Sequence, residues 1–567
     1  MHRKRDSPAQ TDRPNVLLIQ ADQLAAAALG AYGNDVVKTP HLDALATDGV
    51  VFDRAYCNSP LCAPSRASMM TGLLPSQIGA FDNAADFGAS VPTFAHLLRT
   101  VGYRTALIGR MHFIGPDQLH GFEQRLTTDI YPATLDMVPD WEAPASQRLP
   151  WYHDTCSVFT AGASVATVQR DFDDEVTFRS LRHLNDLARY SQDAPFLLVA
   201  SFIHPHDPYE PPAEYWDRYA DVEIDDPRVP TIALDDLDPH SRRLQQMSGF
   251  DQRMPDAEQI RRARRAYYAA VSYVDDNVGR IVARLDALGL RENTIIIVTS
   301  DHGDMLGERG LWYKMSPFEQ SSRVPLIVNA PERFAARRVG EPVSLIDLLP
   351  TLVELGDGAS AETAGRSLVP LIAGAQETTD PDEVFIEYLA EGVSTPHITV
   401  VSGRYKYVRC PGDPDQLFDL DADPDELRNV AGDAGYADEA ARLRALVESR
   451  YDLEELGSQV RASQRRRRLV HGALSQGAAP GWDHAPASRG DDFVRGNFWS
   501  ALDNGTIRAP EEAAPAPTGS GPASDQELKR FWVATKPSRT SVSTASPATA
   551  ASTRIASRSD GRSLAST

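Results

Sequence analysis

Cysteine is scarce in this 567-residue chain, basic charge falls short of acidic, and long apolar runs are missing. The four cysteines, Cys57, Cys62, Cys156 and Cys410, are too few and too scattered for a disulfide framework. Lysine and arginine number 57 against 79 aspartates and glutamates, a formal net charge of −22. That balance excludes the broad basic field on which nucleic-acid and anionic-membrane binders depend. No run approaches the roughly 20 apolar residues of a membrane-spanning helix. The polar start, MHRKRDSPAQTDRPN, lacks the apolar centre of a secretory signal, so a soluble cytoplasmic protein is expected.

Short apolar runs are what the chain does have, and several end in chemically capable residues. NVLLIQ (15–20) leads into Asp22 and Gln23, and YRTALIG (103–109) into Arg110, Met111 and His112. FLLVASFI (196–203) leads into HPHDP, and NTIIIVTS (293–300) into DHGD. Runs without alternation suit strands buried on both faces of a mostly parallel sheet covered by helices. TPHLDALATDGV and VPTFAHLLRTVG supply helical patterns between them. Ligand sites of open α/β sheets form beyond the carboxyl ends of the strands, so these four endings point to one site. The expectation is an α/β domain over 14–375. A smaller α+β domain over 376–457 follows from EVFIEYLAE, HITVVSGRYKYVRC and DQLFDL, with a turn at Gly403-Arg404 and a helix within 436–455. Residues 458–510 form an arginine-rich, then aromatic extension, and 511–567 have the composition of a disordered tail.

CAPSRASMMTG (62–72) is the most informative stretch. Pro64 suits the first turn of a helix and Gly72 its end, which places Cys62 at a helix N-terminus with Arg66 on the same face. A cysteine, a cation and a helix N-terminus make an anion site. A buried structural cysteine beside a surface arginine has the same pattern. The stretch resembles the sulfatase signature, Cys-x-Pro-Ser-Arg followed by Thr-Gly. GRMH (109–112), PHDP (205–208), SDHGD (300–304) and LWYKM (311–315) resemble further motifs of that family. Within it, MHFIGPDQLHGFE, RLTTDIYPA, QLFDLDADPDE, RRRRLVHGAL and WDH resemble the choline-sulfatase subfamily.

The resemblance implies an alkaline-phosphatase-like sulfatase fold and oxidation of Cys62 to formylglycine (3-oxoalanine) by a separate formylglycine-generating enzyme. One hydroxyl of the hydrated aldehyde attacks sulfur and displaces the alcohol. The other loses its proton and expels sulfate by breaking the C–O bond, which a plain serine could not do. A divalent metal is implied on Asp22, Asp301, His302 and modified residue 62: calcium first, with magnesium and manganese also suited to such a set. Arg66, Arg110, His112, His206 and Lys314 are implied to hold the sulfate oxygens and move protons, with His206 at the leaving alcohol. His204 is expected to be a structural neighbour. The chain departs from the family at Gln23, where many members carry aspartate, at Arg110 in place of lysine, and at Met137 in place of an aromatic. A choline headgroup needs aromatic faces and a carboxylate. Tyr131, Trp141, Trp151, Tyr152 and His153 are the aromatic candidates, and Asp503 resembles an acid lent to a neighbouring subunit. The implied protein is a homodimer or homotetramer that hydrolyses a small sulfate ester, choline O-sulfate foremost. A phosphonate or phosphodiester monoester hydrolase, an aryl or alkyl sulfatase, and a non-catalytic binder with an unmodified Cys62 are the alternatives.

Overall fold

The apolar runs become strands because lateral pairing satisfies their backbone while both faces are covered. The computed structural model describes residues 13–191, 193–359, 362–374, 383–478 and 481–485, and the backbone of Ile507–Arg508. Among the described residues the large sheet has eight strands: β1 (Asn15–Asp22), β2 (Val50–Phe52), β3 (Arg104–Gly109), β4 (Gln124–Arg125), β5 (Phe196–Pro205), β6 (Thr294–Ser300), β7 (Leu326–Asn329) and β8 (Arg337–Val339). Their order is β8-β2-β7-β6-β1-β5-β3-β4. Only β7 runs antiparallel to its neighbours, so the sheet is mostly parallel, as read from the sequence. The four expected strands lie side by side at its centre, in the order β6-β1-β5-β3.

Each central strand divides its side chains between two cores. Leu17, Ile19, Leu198, Ala200, Ile296 and Val298 face one; Val16, Leu18, Leu197, Val199, Ile295 and Ile297 face the other. That is why the runs show no polar alternation. Helices α3 (Val168–Tyr190) and α4 (Ala257–Ala287) cover the first face with Phe172, Val176, Val271 and Val278. Helices α1 (Cys62–Thr71), α2 (Phe94–Thr100) and α5 (Leu348–Leu355) cover the second with Met69, Met70, Phe94, Leu348 and Leu352. Each fully buried Leu, Ile or Val contributes roughly 1.5–3 kcal/mol.

A four-stranded antiparallel sheet follows: β9 (Glu383–Tyr388), β10 (His397–Ser402), β11 (Tyr405–Arg409) and β12 (Gln416–Asp419), paired in sequence order. Gly403, at φ 51°, makes the turn read at that position. Helices α6 (Ala437–Arg450) and α7 (Leu453–Leu474) pack on it. Helix α7 runs across residues 457 and 458, where the sequence changes character. The core of this unit, with Ile398, Val400, Leu417, Leu443 and Val460, includes Leu61, Trp141, Tyr152, Met305 and Met315 from the loops of the large sheet. Asp503, the 375/376 change and the tail over 511–567 lie outside the described residues. No helix among the described residues is long and apolar enough to cross a membrane.

Candidate active site

The carboxyl ends of β1, β3, β5 and β6 bring Asp22, Arg110, His206, Asp301 and His302 to one edge, aligned by pairings such as Ala21 with Ser300 and Gly109 with Ser201. Gly109 is required there: at φ 103° its Cβ position lies 1.9 Å from the Ser201 carbonyl oxygen. Helix α1 drives into this edge, buried along its whole length, with Cys62 in its first turn and Gly72 at φ 68° ending it. Ser65 Oγ donates to the Asp301 carbonyl at 2.6 Å, and Ala63 N–H donates to Asn83 Oδ1 at 3.0 Å.

Asp22, Cys62, Asp301 and His302 converge, all buried, with one ligand atom from each within 4.8 Å of the others. Cys62 Sγ is 3.2 Å from His302 Nε2. Asp22 Oδ1 is buried without a hydrogen-bond partner among the described residues, in keeping with an oxygen kept for a cation. Two carboxylates, an imidazole and the side chain of residue 62 fit a divalent ion. Burial pushes the Asp22 carboxyl up against the pull of Arg110. Burial also acts upward on Asp301, but Arg66, His302 and Arg110 hold it well below the usual carboxylate range.

Arg66 lies against the two aspartates. Its Nε donates to Asp301 at 2.8 Å and Nη2 to Asp22 at 3.0 Å. Nη1 reaches Gln20, Ser201 and the Arg110 carbonyl. With every nitrogen engaged, Arg66 braces the two carboxylates. Arg110 is the arginine with a spare donor. Its Nε pairs with Asp22 at 2.8 Å, its guanidinium lies 4.1 Å from the Tyr131 ring centre, and Nη1 has no hydrogen-bond partner among the described residues. Arginine's extra reach therefore lets position 110 touch Asp22 and still offer an N–H.

On the opposite wall, Lys314 Nζ lies 2.6 Å from His206 Nε2 and donates to Gln23 Oε1 at 2.7 Å. His206 Nδ1 is 2.7 Å from the Asp207 carbonyl, and Nε2 is 3.2 Å from Tyr131 Oη. Burial and the Lys314 charge lower His206 to about 4, so its imidazole is neutral. Gln23 occupies a left-handed backbone position (φ 63°), and its Nε2 donates to Asp304 at 2.6 Å and Asp207 at 3.3 Å. The glutamine is thus a strut between Lys314 and two aspartates. His153 Nδ1 meets Asp207 Oδ2 at 3.0 Å, and its ring stacks on Tyr313 at 4.5 Å. Burial works upward on Asp207, yet His153 and His206 hold it well below the usual carboxylate range. His112 (φ 54°) is held by Asp129, whose Oδ2 accepts the Met111 and His112 N–H groups at 2.9 and 2.8 Å. Its Nε2 is buried without a hydrogen-bond partner among the described residues. His204 bonds Asp173 at 2.7 Å, away from these groups, as a structural neighbour does.

Several residues escape a reading of motifs. Asp129, Asp207 and Asp304 lie inside recognised segments; backbone N–H groups donate to Asp129 and Asp304, whereas Asp207 is held by side chains, Gln23 and His153 among them. Glu391, after β9, carries no local signal at all. It is buried, its Oε2 lacks a hydrogen-bond partner among the described residues, and it lies within electrostatic reach of Asp82, Lys314, Tyr152 and Tyr388. Of the aromatic candidates, Tyr131 meets Arg110 and His206, Trp141, Trp151 and Tyr152 belong to the core around the antiparallel sheet, and His153 stacks on Tyr313.

Comparison with known proteins agrees with this geometry. The sulfatase family model matches residues 14–359, the C-terminal model of N-sulphoglucosamine sulphohydrolase residues 307–452, and the choline sulfatase enzyme C-terminal model residues 458–509. The chain is 44% identical to a choline-sulfatase of Rhizobium meliloti (strain 1021), over 85% of this chain and 95% of that protein. An arylsulfatase of Clostridium perfringens is 28% identical over 77% of this chain and 94% of its own length. Among solved structures, the phosphonate monoester hydrolase of Agrobacterium radiobacter superposes with a TM-score of 0.63 at 25% identity, covering 79% of this chain and 96% of that one. With a family model across more than half of its length and a relative 44% identical over 85% of it, the chain belongs to the sulfatase family and is a sulfuric ester hydrolase.

Proposed function

We propose that the chain hydrolyses choline O-sulfate to choline and sulfate. The observation that carries this reading is Glu391, a buried carboxylate whose Oε2 has no hydrogen-bond partner among the described residues, next in the chain to Ala390, whose carbonyl accepts the Trp141 indole N–H. A quaternary ammonium group donates no hydrogen bond, so it is held by countercharge and aromatic faces. A neutral or anionic leaving group would leave Glu391 repelled or idle. The choline-sulfatase relative supports the same reading.

In this proposal Cys62 is converted to formylglycine, whose hydrate supplies the nucleophilic hydroxyl and a second hydroxyl whose deprotonation releases sulfate. Asp22, Asp301, His302 and residue 62 would hold a divalent cation, calcium by preference, which lowers the hydroxyl pKa and screens the anionic ester. Arg110 Nη1 and Lys314 Nζ bind sulfate oxygens. His206 and Lys314 share the proton that the departing alkoxide takes up, and neutral His112 accepts the proton of the second hydroxyl. The maturation enzyme and a homodimeric or homotetrameric assembly belong to the proposal too.

Turnover of choline O-sulfate and p-nitrophenyl sulfate, measured side by side on protein coexpressed with a formylglycine-generating enzyme, tests it. A higher kcat/KM for choline O-sulfate is expected. Preference for the aryl ester would keep the sulfatase chemistry and remove choline from it. Preference for a phosphonate monoester would favour the reading suggested by the fold neighbour.

A further inference from the structure

Gln464 and Arg467 of helix α7, three residues apart and so on one face, bond to Trp141 and Asp82. Arg467 grips the buried Asp82 carboxylate with both terminal nitrogens, at 2.6 and 2.7 Å. Asp82 adjoins Asn83, whose side chain accepts the Ala63 N–H next to Cys62. Gln464 Oε1 accepts the Trp141 backbone N–H at 2.9 Å, and the Trp141 indole Nε1–H donates to the Ala390 carbonyl at 2.6 Å. The next residue is Glu391. Gln464 is 1% exposed, and its Nε2 has no hydrogen-bond partner among the described residues. A buried amide with an unsatisfied donor is a poor space-filler, since methionine would occupy similar volume without that penalty. The half of the amide that is satisfied is the half that holds Trp141.

We propose that Gln464 is a positioning residue for substrate specificity: through Trp141 and Ala390 it sets where Glu391 meets the cationic end of the substrate, while the Arg467–Asp82 pair anchors the helix that carries it. This inference rests on the choline reading above. The physical reason is that a carboxylate facing a quaternary ammonium has no directional bond to fix its distance, so the scaffold must fix it. The two hydrogen bonds from Gln464 to Ala390 form that scaffold, and the sulfate end of the site does not depend on them.

The test uses the full-length, converted enzyme with choline O-sulfate and p-nitrophenyl sulfate as substrates, and choline as an inhibitor of the aryl ester reaction. Gln464→Met is expected to raise both KM for choline O-sulfate and the inhibition constant of choline by roughly tenfold to a hundredfold, the scale of a misplacement of about 1 Å. Its kcat/KM for p-nitrophenyl sulfate is expected to stay within about threefold of wild type. Gln464→Glu still accepts the Trp141 N–H and is expected to retain choline affinity. Parallel loss on both substrates, or no change on either, overturns the proposal. If Gln464→Met does not fold, Gln464→Leu, which also removes the acceptor of the Trp141 N–H, must show the same selective loss. The two readings fail differently. When wild-type protein ignores choline and Glu391→Gln changes nothing, the choline assignment falls. When wild type binds choline, Glu391→Gln loses it and Gln464→Met keeps it, only the positioning role falls.

Discussion

Neutral imidazoles dominate the reacting end of the site, and their neutrality has consequences at single residues. His206 is held near 4 by burial and by Lys314, so it carries a proton toward the leaving group only in concert with that lysine. Choline is a far poorer leaving group than p-nitrophenol. His206→Asn is therefore expected to lower kcat on choline O-sulfate by about 10²- to 10⁴-fold and to spare most of the aryl activity; equal losses on both substrates would argue against a leaving-group role. Glu391 has the opposite displacement. Burial, with Asp82 adding and Lys314 opposing, raises it to about 7, while Tyr152 and Tyr388 beside it stay protonated. A cation needs the ionised carboxylate, so KM for choline O-sulfate is lowest above this value. It is expected to rise about tenfold per pH unit below it. A flat KM profile between pH 6 and 8, or one shared by the aryl ester, would show that Glu391 does not face the cation.

The element that matters most is the loop from Gly303 to Phe318, which carries Lys314. Leu306, Arg309, Tyr313 and Met315 all take left-handed backbone positions, at φ 47°, 61°, 65° and 68°. Such a path persists only when its surroundings hold it. Asp304 Oδ1 accepts the N–H groups of Leu306 and Tyr313, at 2.9 and 3.1 Å. From the other side, Lys406 on β11 pairs with Glu319 at 2.7 Å and Glu426 at 2.8 Å, and donates to the Pro317 carbonyl at 3.0 Å. The antiparallel sheet thus clamps the catalytic loop of the large sheet. Lys406→Met leaves the buried Glu426 without its cation, while Glu319 keeps Arg323 at 3.6 Å. The expected loss is about 3–5 kcal/mol, read as a lower urea midpoint together with reduced activity.

For the whole molecule, the packing of two sheets around one buried charge cluster makes ion binding and folding a single problem. Asp22 and Asp301 stand close together in the interior, paired with Arg66 and Arg110. A divalent cation held by Asp22, Cys62, Asp301 and His302 would find that site only in the folded chain, so it would stabilise by mass action. Removal of divalent ions with EDTA is expected to lower Tm. Calcium at about 100 times its Kd is expected to restore roughly 2.7 kcal/mol. Asp301→Asn should abolish the calcium-dependent part of the shift, and an unchanged Tm in wild type would mean that the four residues hold no such ion.

The central strands, the helix that starts at Cys62 and ends at Gly72, and the convergence of Asp22, His206, Asp301 and His302 were all legible in the sequence. They follow from local causes: apolar runs without alternation, a proline and a glycine at helix ends, and polar residues where strands stop. Tertiary structure alone decided what each buried charge touches. It turned Arg66 toward the carboxylates, gave Arg110 the spare donor, and made Gln23 a strut. It also set Glu391 beside residues far away along the chain and joined Asp82 to Arg467 across 385 positions. Periodicity reports only which face of its own element a residue occupies. The partner of a buried charge is chosen by whichever distant segments pack against that face, and pairing there is compulsory because an uncompensated charge in the interior is too costly to leave.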